Sequence, residues 1–287
     1  MRCPKRVWLF LPLILFLGCD GQKKQFASPQ GYDLNKPETY PMPGVLHEIS
    51  GIAFNKGNSD TLYAEQDEVG KLFHFKLGDK DPIVSRFGDK GDFEDLTLCR
   101  GTVVMLRSDG VLFSFPLAEA SNREAGNVRK WAGLLPPGEY EGLSSTEETG
   151  QLVVLCKHCG DDKTSKRTSG YLFRLGAAGD IISSGHFELD VTQIEAIAGG
   201  GKIRFHPSAL AQNPLSREWY ILSSVNKLLV LTDENWTVKK VYPLNPVLFP
   251  QPEGIAFANN GDLYISNERN EAAYATILRF RRLQTAR

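Results

Sequence analysis

The sequence predicts an all-β fold, a five-bladed β-propeller closed by its own N-terminal segment. Three observations carry this reading. First, Ile49-Ser50-Gly51-Ile52-Ala53-Phe54, followed by Leu62-Tyr63-Ala64-Glu65, returns as Pro252-Glu253-Gly254-Ile255-Ala256-Phe257, followed by Leu263-Tyr264-Ile265-Ser266. The copies stand ~200 residues apart, the mark of an internal repeat. Second, from residue 32 onward short apolar runs are separated by Gly, Asp, Asn and Pro clusters, and no long amphipathic helix pattern intervenes. Third, five repeat units start at Ser50, Glu94, Glu141, Ser208 and Glu253. Three of the four intervals lie near the ~40–50 residues of a four-stranded blade.

Each unit opens with Ser or an acid, then a small or acidic residue and an aliphatic pair. In unit one the strands after Ser50-Gly51-Ile52-Ala53 are Thr61 to Glu65, Lys71 to Leu77 and Ile83 to Phe87. Unit two opens at Glu94-Asp95-Leu96-Thr97 and continues with Thr102 to Arg107, Val111 to Leu117 and a run near Val128 to Ala132. Unit three opens at Glu141-Gly142-Leu143-Ser144, followed by Gln151 to Cys156, Gly170 to Leu175 and Ile181 to Leu189. Unit four opens at Ser208-Ala209-Leu210-Ala211, with Glu218 to Ser223, Lys227 to Thr232 and Thr237 to Leu244. The fifth has only Glu253-Gly254-Ile255-Ala256, Asp262 to Ser266 and Thr276 to Arg281. Residues near 36–42 are expected to supply its missing outer strand, because only a closed ring leaves no blade face exposed. The long third interval carries a polar insert, Gly160 to Ser169, and a segment Val191 to Gly201 with the look of a short helix. A sixth, degenerate blade hidden there is the alternative. Within the repeated strand Ile52 and Phe54 face one way and Gly51 and Ala53 the other. Large residues of one blade should then pack over small ones of the next.

The chain has 287 residues and a net charge of −1, so a basic excess for nucleic acid is missing. Its first residues read as an export signal: Arg2, Lys5 and Arg6 precede the apolar run Val7 to Leu17, far shorter than the ~20 residues of a membrane span. Leu15-Phe16-Leu17-Gly18-Cys19 resembles the lipobox of bacterial lipoproteins. That likeness implies a signal peptide over 1–18, a lipid such as palmitate on Cys19, and a flexible polar linker over 19–31 ahead of a propeller domain at 32–287. The alternative is an ordinary signal peptide that happens to end in cysteine. The expected place is the bacterial cell envelope, on a membrane.

Candidate chemistry gathers at the unit starts. Two residues before each first position stand Glu48, Asp92, Glu139, His206 and Gln251, and two apart on an extended chain means one face. The innermost strand of a propeller lines the central channel. The expectation is therefore a channel mouth with up to six carboxylates: Glu48, Asp92, Glu94, Glu139, Glu141 and Glu253. Crowded carboxylates are relieved by protons or by a cation, and oxygen ligands favour Ca2+ first and Mg2+ second. The bland reading has these acids capping strands or facing water. A second set follows the second strand of each unit: Glu65 to Glu68, Ser108-Asp109, His158, Ser224 to Asn226 and Asn267 to Asn270. It reads first as hairpin-turn chemistry.

Cys156-Lys157-His158-Cys159 ends a strand and lacks a second ligand pair for structural zinc. A local disulfide between Cys156 and Cys159 is favoured over a redox dithiol, and Cys99 reads as a buried hydrophobe. Lys163, Lys166 and Arg167 read as a solvated loop. No G-x-S-x-G elbow, H-E-x-x-H helix, P-loop or G-x-G-x-x-G pattern is present.

Leu46 to Phe54, Gln66 to Phe73, Asp92-Phe93-Glu94-Asp95-Leu96 and Gln251 to Phe257 resemble the SdiA-regulated family, NHL-like bacterial β-propellers, over roughly residues 32–282. That resemblance implies five blades, a calcium site at the acidic blade starts, secretion or membrane attachment, and no established enzymatic activity. The expected function is an envelope-anchored calcium-binding module for an unknown protein or small molecule. The alternative is a metal-dependent hydrolase of the lactonase or phytase-like propeller kind, with His206 the one blade-start histidine suited to proton transfer.

Overall fold

The structure is a computed structural model and describes residues 25–160, 162–269 and 274–283. The expected signal peptide, Cys19 and the linker as far as residue 24 lie outside the described residues. Among the described residues are five four-stranded antiparallel sheets, one per predicted unit. The six-blade alternative therefore falls. Blade 1 holds Ile49–Phe54, Leu62–Gln66, Val69–Phe75 and Ile83–Lys90. Blade 2 holds Phe93–Cys99, Thr102–Arg107, Leu112–Pro116 and Arg129–Trp131. Blade 3 holds Gly138–Thr146, Gln151–Cys159, Arg167–Leu175 and Ile181–Asp190, all longer than their counterparts elsewhere. Blade 4 holds Ala209–Gln212, Trp219–Ser223, Leu228–Thr232 and Val238–Pro243.

Blade 5 is completed from both ends of the chain. Pro252–Phe257, Leu263–Asn267 and Thr276–Phe280 pair in sequence order, and Glu38–Pro41 adds the fourth strand beside Thr276–Phe280. The register runs from Glu38 opposite Arg279 to Pro41 opposite Thr276, and the Met42 N–H donates to the Ala275 carbonyl at 2.9 Å. Arg279 ties this closure down through Asp262 at 2.6 Å and Glu38 at 3.5 Å. The chain ahead of the strand also lies on the body. The Tyr32 hydroxyl donates to the Gly261 carbonyl at 2.6 Å, and Asn35 exchanges hydrogen bonds with the backbone of Phe26 at 3.0 and 2.8 Å. Residues 26–31, which the sequence reading places in the linker, are thus partly engaged with the domain.

The core is divided into five clusters, one between each pair of adjacent blades. The repeated motif explains the division. Ile52 and Phe54 of blade 1 pack over Ala256 and Ala258 of blade 5, while Ala53 joins Leu96 and Leu98 of blade 2. One interface earlier, Ile255 and Phe257 cover Ala209 and Ala211 of blade 4. Glycine stands in the motif because backbones approach closely there. A Cβ on Gly254 would run into the Ser50 carbonyl, and one on Gly51 into Asp95. Buried polar links cross the same seams: Ser266 Oγ donates to the Ser50 carbonyl at 2.7 Å, and the Leu143 N–H to Asp95 Oδ2 at 2.7 Å.

The two extras of the long third interval flank blade 3. The hairpin insert carries a helical turn, Asp162–Ser165, and the connection to blade 4 carries a helix, Val191–Ile197, with Asp190 accepting the Thr192 N–H at its start. Cys99 is buried and free.

Closure by residues 38–41 sets a stability test. Deleting residues 25–41 from the full chain removes four paired positions and buried Tyr32 and Leu34. The thermal midpoint followed by circular dichroism should fall by ~10 °C or more; an unchanged midpoint would show that the fourth strand of blade 5 is dispensable.

Candidate functional site

One rim of the channel is built by the starts of the inner strands and the ends of the second strands, which antiparallel pairing brings to the same side. A cavity of about 410 Å3 opens there, and all five first positions, Ser50, Glu94, Glu141, Ser208 and Glu253, line it. Of the positions two earlier, His206 and Gln251 reach it. Glu48, Asp92 and Glu139 do not, so three of the six expected carboxylates stand at the cavity wall and three stand away from it. The reason is local. Asp92 precedes the inner strand and is exposed. Glu139 turns to Lys157 Nζ at 3.1 Å and His158 Nδ1 at 2.6 Å. Glu48 bonds Glu268 rather than the cavity.

The hairpin set, first read as turn chemistry, supplies the remainder. Asp67, Ser224 and Glu268 line the same cavity. Two residues carried no signal as site members: Lys157, from the C-x-x-C stretch, and Lys227. Lys157 Nζ contacts Glu141 Oε1 and Glu139 Oε1, standing as a built-in counter-charge. Lys227 Nζ donates to the Ser224 and Pro250 carbonyls at 2.7 Å each. Cys156 and Cys159 form a disulfide, Cα to Cα 5.9 Å, across the residue pair that contains Lys157. Of the two serines at first positions, Ser208 turns its hydroxyl to the Pro252 carbonyl at 3.0 Å, while the main-chain carbonyl of Ser50 accepts the Ser266 hydroxyl at 2.7 Å.

Among the described residues five carboxyl groups and two lysines line the cavity, an excess of acids over bases in a half-buried space. The protonation equilibria respond. Burial, then the charges of Glu141, Asp92 and Glu65, pushes the Glu94 carboxyl up to about 10. Burial pushes Glu141 up to about 8 against the pull of Lys157. Burial and a hydrogen bond with Glu48 push Glu268 up to about 9, and burial with Glu48, Glu68 and Asp92 pushes Asp67 up to about 6. Glu253 is raised by burial, against Ser224 and Lys157. The two partners of the Lys157–Glu141 pair move differently. Burial works against the ammonium, yet its carboxylate contacts hold the lysine pKa above its ordinary value. The ion pair is therefore secure from the lysine side, and the Glu141 proton is what titrates. Beneath the rim, Glu65 is fully buried; its Oε1 accepts the Gly51 N–H at 2.7 Å and its Oε2 has no partner among the described residues. Asp67 Oδ1 is likewise buried and unpartnered among them.

Among the described residues no three Asp, Glu, His or Cys side chains stand close enough together to grip a metal ion as placed. Lys157 is the physical reason at blade 3, since its ammonium takes the position between Glu139 and Glu141.

No protein-family model matches the chain, and no curated protein sequence does. Solved structures do resemble it. Glutaminyl cyclase from Myxococcus xanthus aligns with a TM-score of 0.53 at 16% identity, over 85% of this chain and 94% of that one. A luciferin-regenerating enzyme gives 0.51 at 9% over 85% and 95%. The PQQ-bound aldose sugar dehydrogenase of Streptomyces coelicolor gives 0.51 at 12% over 85% and 98%. At such identities the likeness establishes the fold, a β-propeller, and nothing of activity.

A pH test follows from the raised carboxyls. Their folded pKa values lie above the unfolded ~4.3, so the native state holds more protons and stability falls as pH rises toward those values. Between pH 7 and pH 9, where Glu141 and Glu268 give up their protons while folded Glu94 still holds its own, the metal-free protein should lose thermal stability. Glu94→Gln should flatten the decline. A midpoint that is level across this window in chelator would contradict the crowding.

Proposed function

We propose that this protein is a calcium-binding β-propeller that acts as a binding module at the bacterial cell envelope. The observation that carries the reading is the excess of carboxylates over lysines in the channel mouth. The donor set fits a hard cation. It consists of carboxylate and hydroxyl oxygens, and it includes the buried, unpartnered Asp67 Oδ1. Glu94, Glu141 and Glu253 would hold the ion, with Asp67 and Glu268 beside them. The ion would supply the positive charge that lets these acids ionise together. Lys157 supplies part of that charge internally, so it competes with the cation. The likeness of the blade starts to the SdiA-regulated family supports the same reading. So does the acidic, oxygen-rich lining of the mouth. A lipid on Cys19 would place the domain on a membrane, with the channel mouth free for a protein or small-molecule ligand.

A second reading, a metal-dependent hydrolase, draws on one observation. Glu139 orients His158 at 2.6 Å, and the His158 and His206 rings stand 4.4 Å apart beside the carboxylates. That arrangement suits proton transfer. Turnover of a lactone or phosphate ester that is lost in His158→Gln would favour it, and inert behaviour with calcium present would sink it.

Calcium at about 100 times its dissociation constant should stabilise the full chain by ~2.7 kcal/mol, read as a rise in the thermal midpoint. Glu94→Gln with Glu253→Gln should abolish the rise, and Lys157→Gln should tighten binding by removing the competitor. A midpoint indifferent to calcium in the wild type at pH 8 would end the cation reading. For the anchor, Cys19→Ser should move the protein from the membrane to the soluble fraction and remove labelled palmitate; unchanged fractionation would end the lipid reading.

A further inference from the structure

The second large cavity lies beside the channel mouth and has the opposite charge. It is a cleft of about 660 Å3 between the blade 3 hairpin insert and the segment that joins blade 3 to blade 4. Among the described residues five permanent cations line it, Lys157, Lys166, Arg167, Lys202 and Arg204, against the carboxylates of Asp162 and Glu195. His158 and His206 stand on the wall shared with the channel mouth, and Lys157 and His206 line both cavities.

Both carboxylates are engaged in holding the walls. Asp162 accepts the Ser169 N–H at 2.8 Å and the Ser169 hydroxyl at 2.7 Å, which folds the insert back on itself. Glu195 accepts the Ile203 N–H at 2.9 Å through one oxygen and Lys166 Nζ at 2.8 Å through the other. That pair links the insert to the segment after the helix. Arg167 is matched by Glu188. Lys202 and Arg204 are exposed and pair with no carboxylate among the described residues. The field in the cleft reaches the histidine: burial first, then the charges of His158, Arg204 and Lys157, hold the His206 pKa below its ordinary value.

The remaining wall is apolar. Val191 and Phe205 are buried, Ile203 is partly buried, and the Cys156–Cys159 disulfide braces the hairpin. A cleft of this size with a few convergent charges matches the dimensions of small-molecule sites. Its origin in the chain points the same way. The hairpin insert and the crossover are the two additions that lengthen the third interval. The crossover is anchored in the core between blades 3 and 4 through Val191, Ile194 and Phe205, whereas residues 160–169 add nothing to any of the five core clusters. Ordering the insert costs conformational entropy that core burial does not offset. Lys166 and Arg167, read from the sequence as a solvated loop, are exposed as expected and also share one concave surface with Lys202 and Arg204, while the side chain of Lys163 lies outside the described residues.

We propose that this cleft is a binding site for a small organic anion, a carboxylate or phosphate-type group on an apolar body. Lys202 and Arg204 hold the anion, and Phe205, Ile203 and Val191 hold the body. The site is separate from the channel cation site and needs no ion there in order to bind.

The test is calorimetric titration of the full chain in mild detergent, with chelator present, so that its outcome is independent of calcium. The probes are phenylphosphonate, 3-phenylpropionate and the neutral 3-phenylpropanol. At least one anion should bind at least ~10-fold more tightly than the alcohol, and Lys202→Gln with Arg204→Gln should weaken it by ~10-fold or more. The single variants provide the same comparison if the double variant does not fold. A preference between the two anions identifies the acid group. Binding of the alcohol as tight as that of the anions, unchanged affinity in the variants, or no binding of either anion would each overturn the proposal.

Discussion

The structure depends on the closure of the ring. Each blade is a four-stranded sheet with two apolar faces, and it can bury them only against its neighbours. Five interfaces therefore account for the five core clusters, and the two that flank blade 5 are complete only when the first and last parts of the chain meet there. Glu38–Pro41 and the Arg279 ion pairs perform that meeting at the outside of the blade, while Gly254 against the Ser50 carbonyl performs it near the axis. Closure also forces the inner strands together. Five first positions that are far apart in sequence must share one mouth, whatever their charges.

That geometric demand creates the electrostatic one. Glu94, Glu141 and Glu253 would repel one another if all were ionised in a half-buried space. The chain offsets this with Lys157, and the way it does so depends on a bulge. Glu139 lies opposite His158, and Tyr140 opposite Cys156, so Lys157 is the extra residue on its strand. A bulge re-aims a side chain that regular alternation would have sent elsewhere. The disulfide spans this same extra residue pair and limits how far the bulge can relax.

The legible parts of the sequence are those where physical period and chemistry coincide. Gly-Ile-Ala-Phe gives alternation, a close approach and a large-over-small fit in four residues, and it marks the inner strands of blades 1 and 5, with looser variants at Asp95-Leu96-Thr97, Gly142-Leu143-Ser144 and Ala209-Leu210-Ala211 marking the other three. The outer strand at residues 38–41 was legible because unit five lacked one. In Glu94-Asp95 both acids were visible, but their fates differ with strand face: Glu94 meets the cavity, and Asp95 staples blade 2 to blade 3 through the Leu143 N–H. Asp67 and Glu268 were visible only as turn residues, since a hairpin gives no sign of which rim it occupies until the strand order is known. Lys157 was hidden because a bulge shifts the face by one residue, and counting along a strand cannot detect that shift. The basic cleft was hidden for another reason. Lys202 and Arg204 are far from Lys166 and Arg167 in sequence, and only the Glu195 contacts with Lys166 and the Ile203 N–H bring the two segments together.

The last consequence concerns the shared wall. Lys157 lines both the acidic mouth and the basic cleft, and it is bound at present to Glu141 and Glu139. A single ammonium cannot fully serve two anionic partners. A cation in the mouth would take over its role toward Glu141, and the lysine charge would then weigh more heavily on the cleft. An anion in the cleft would draw on the same charge and leave the mouth more negative, which would favour a cation. Both changes have the same sign, so under the two proposals occupancy of either cavity would favour the other, and linkage requires the two effects to be equal in magnitude. The sign follows from the placement of one residue between two opposite fields, and that placement is set by the bulge at Cys156-Lys157-His158-Cys159.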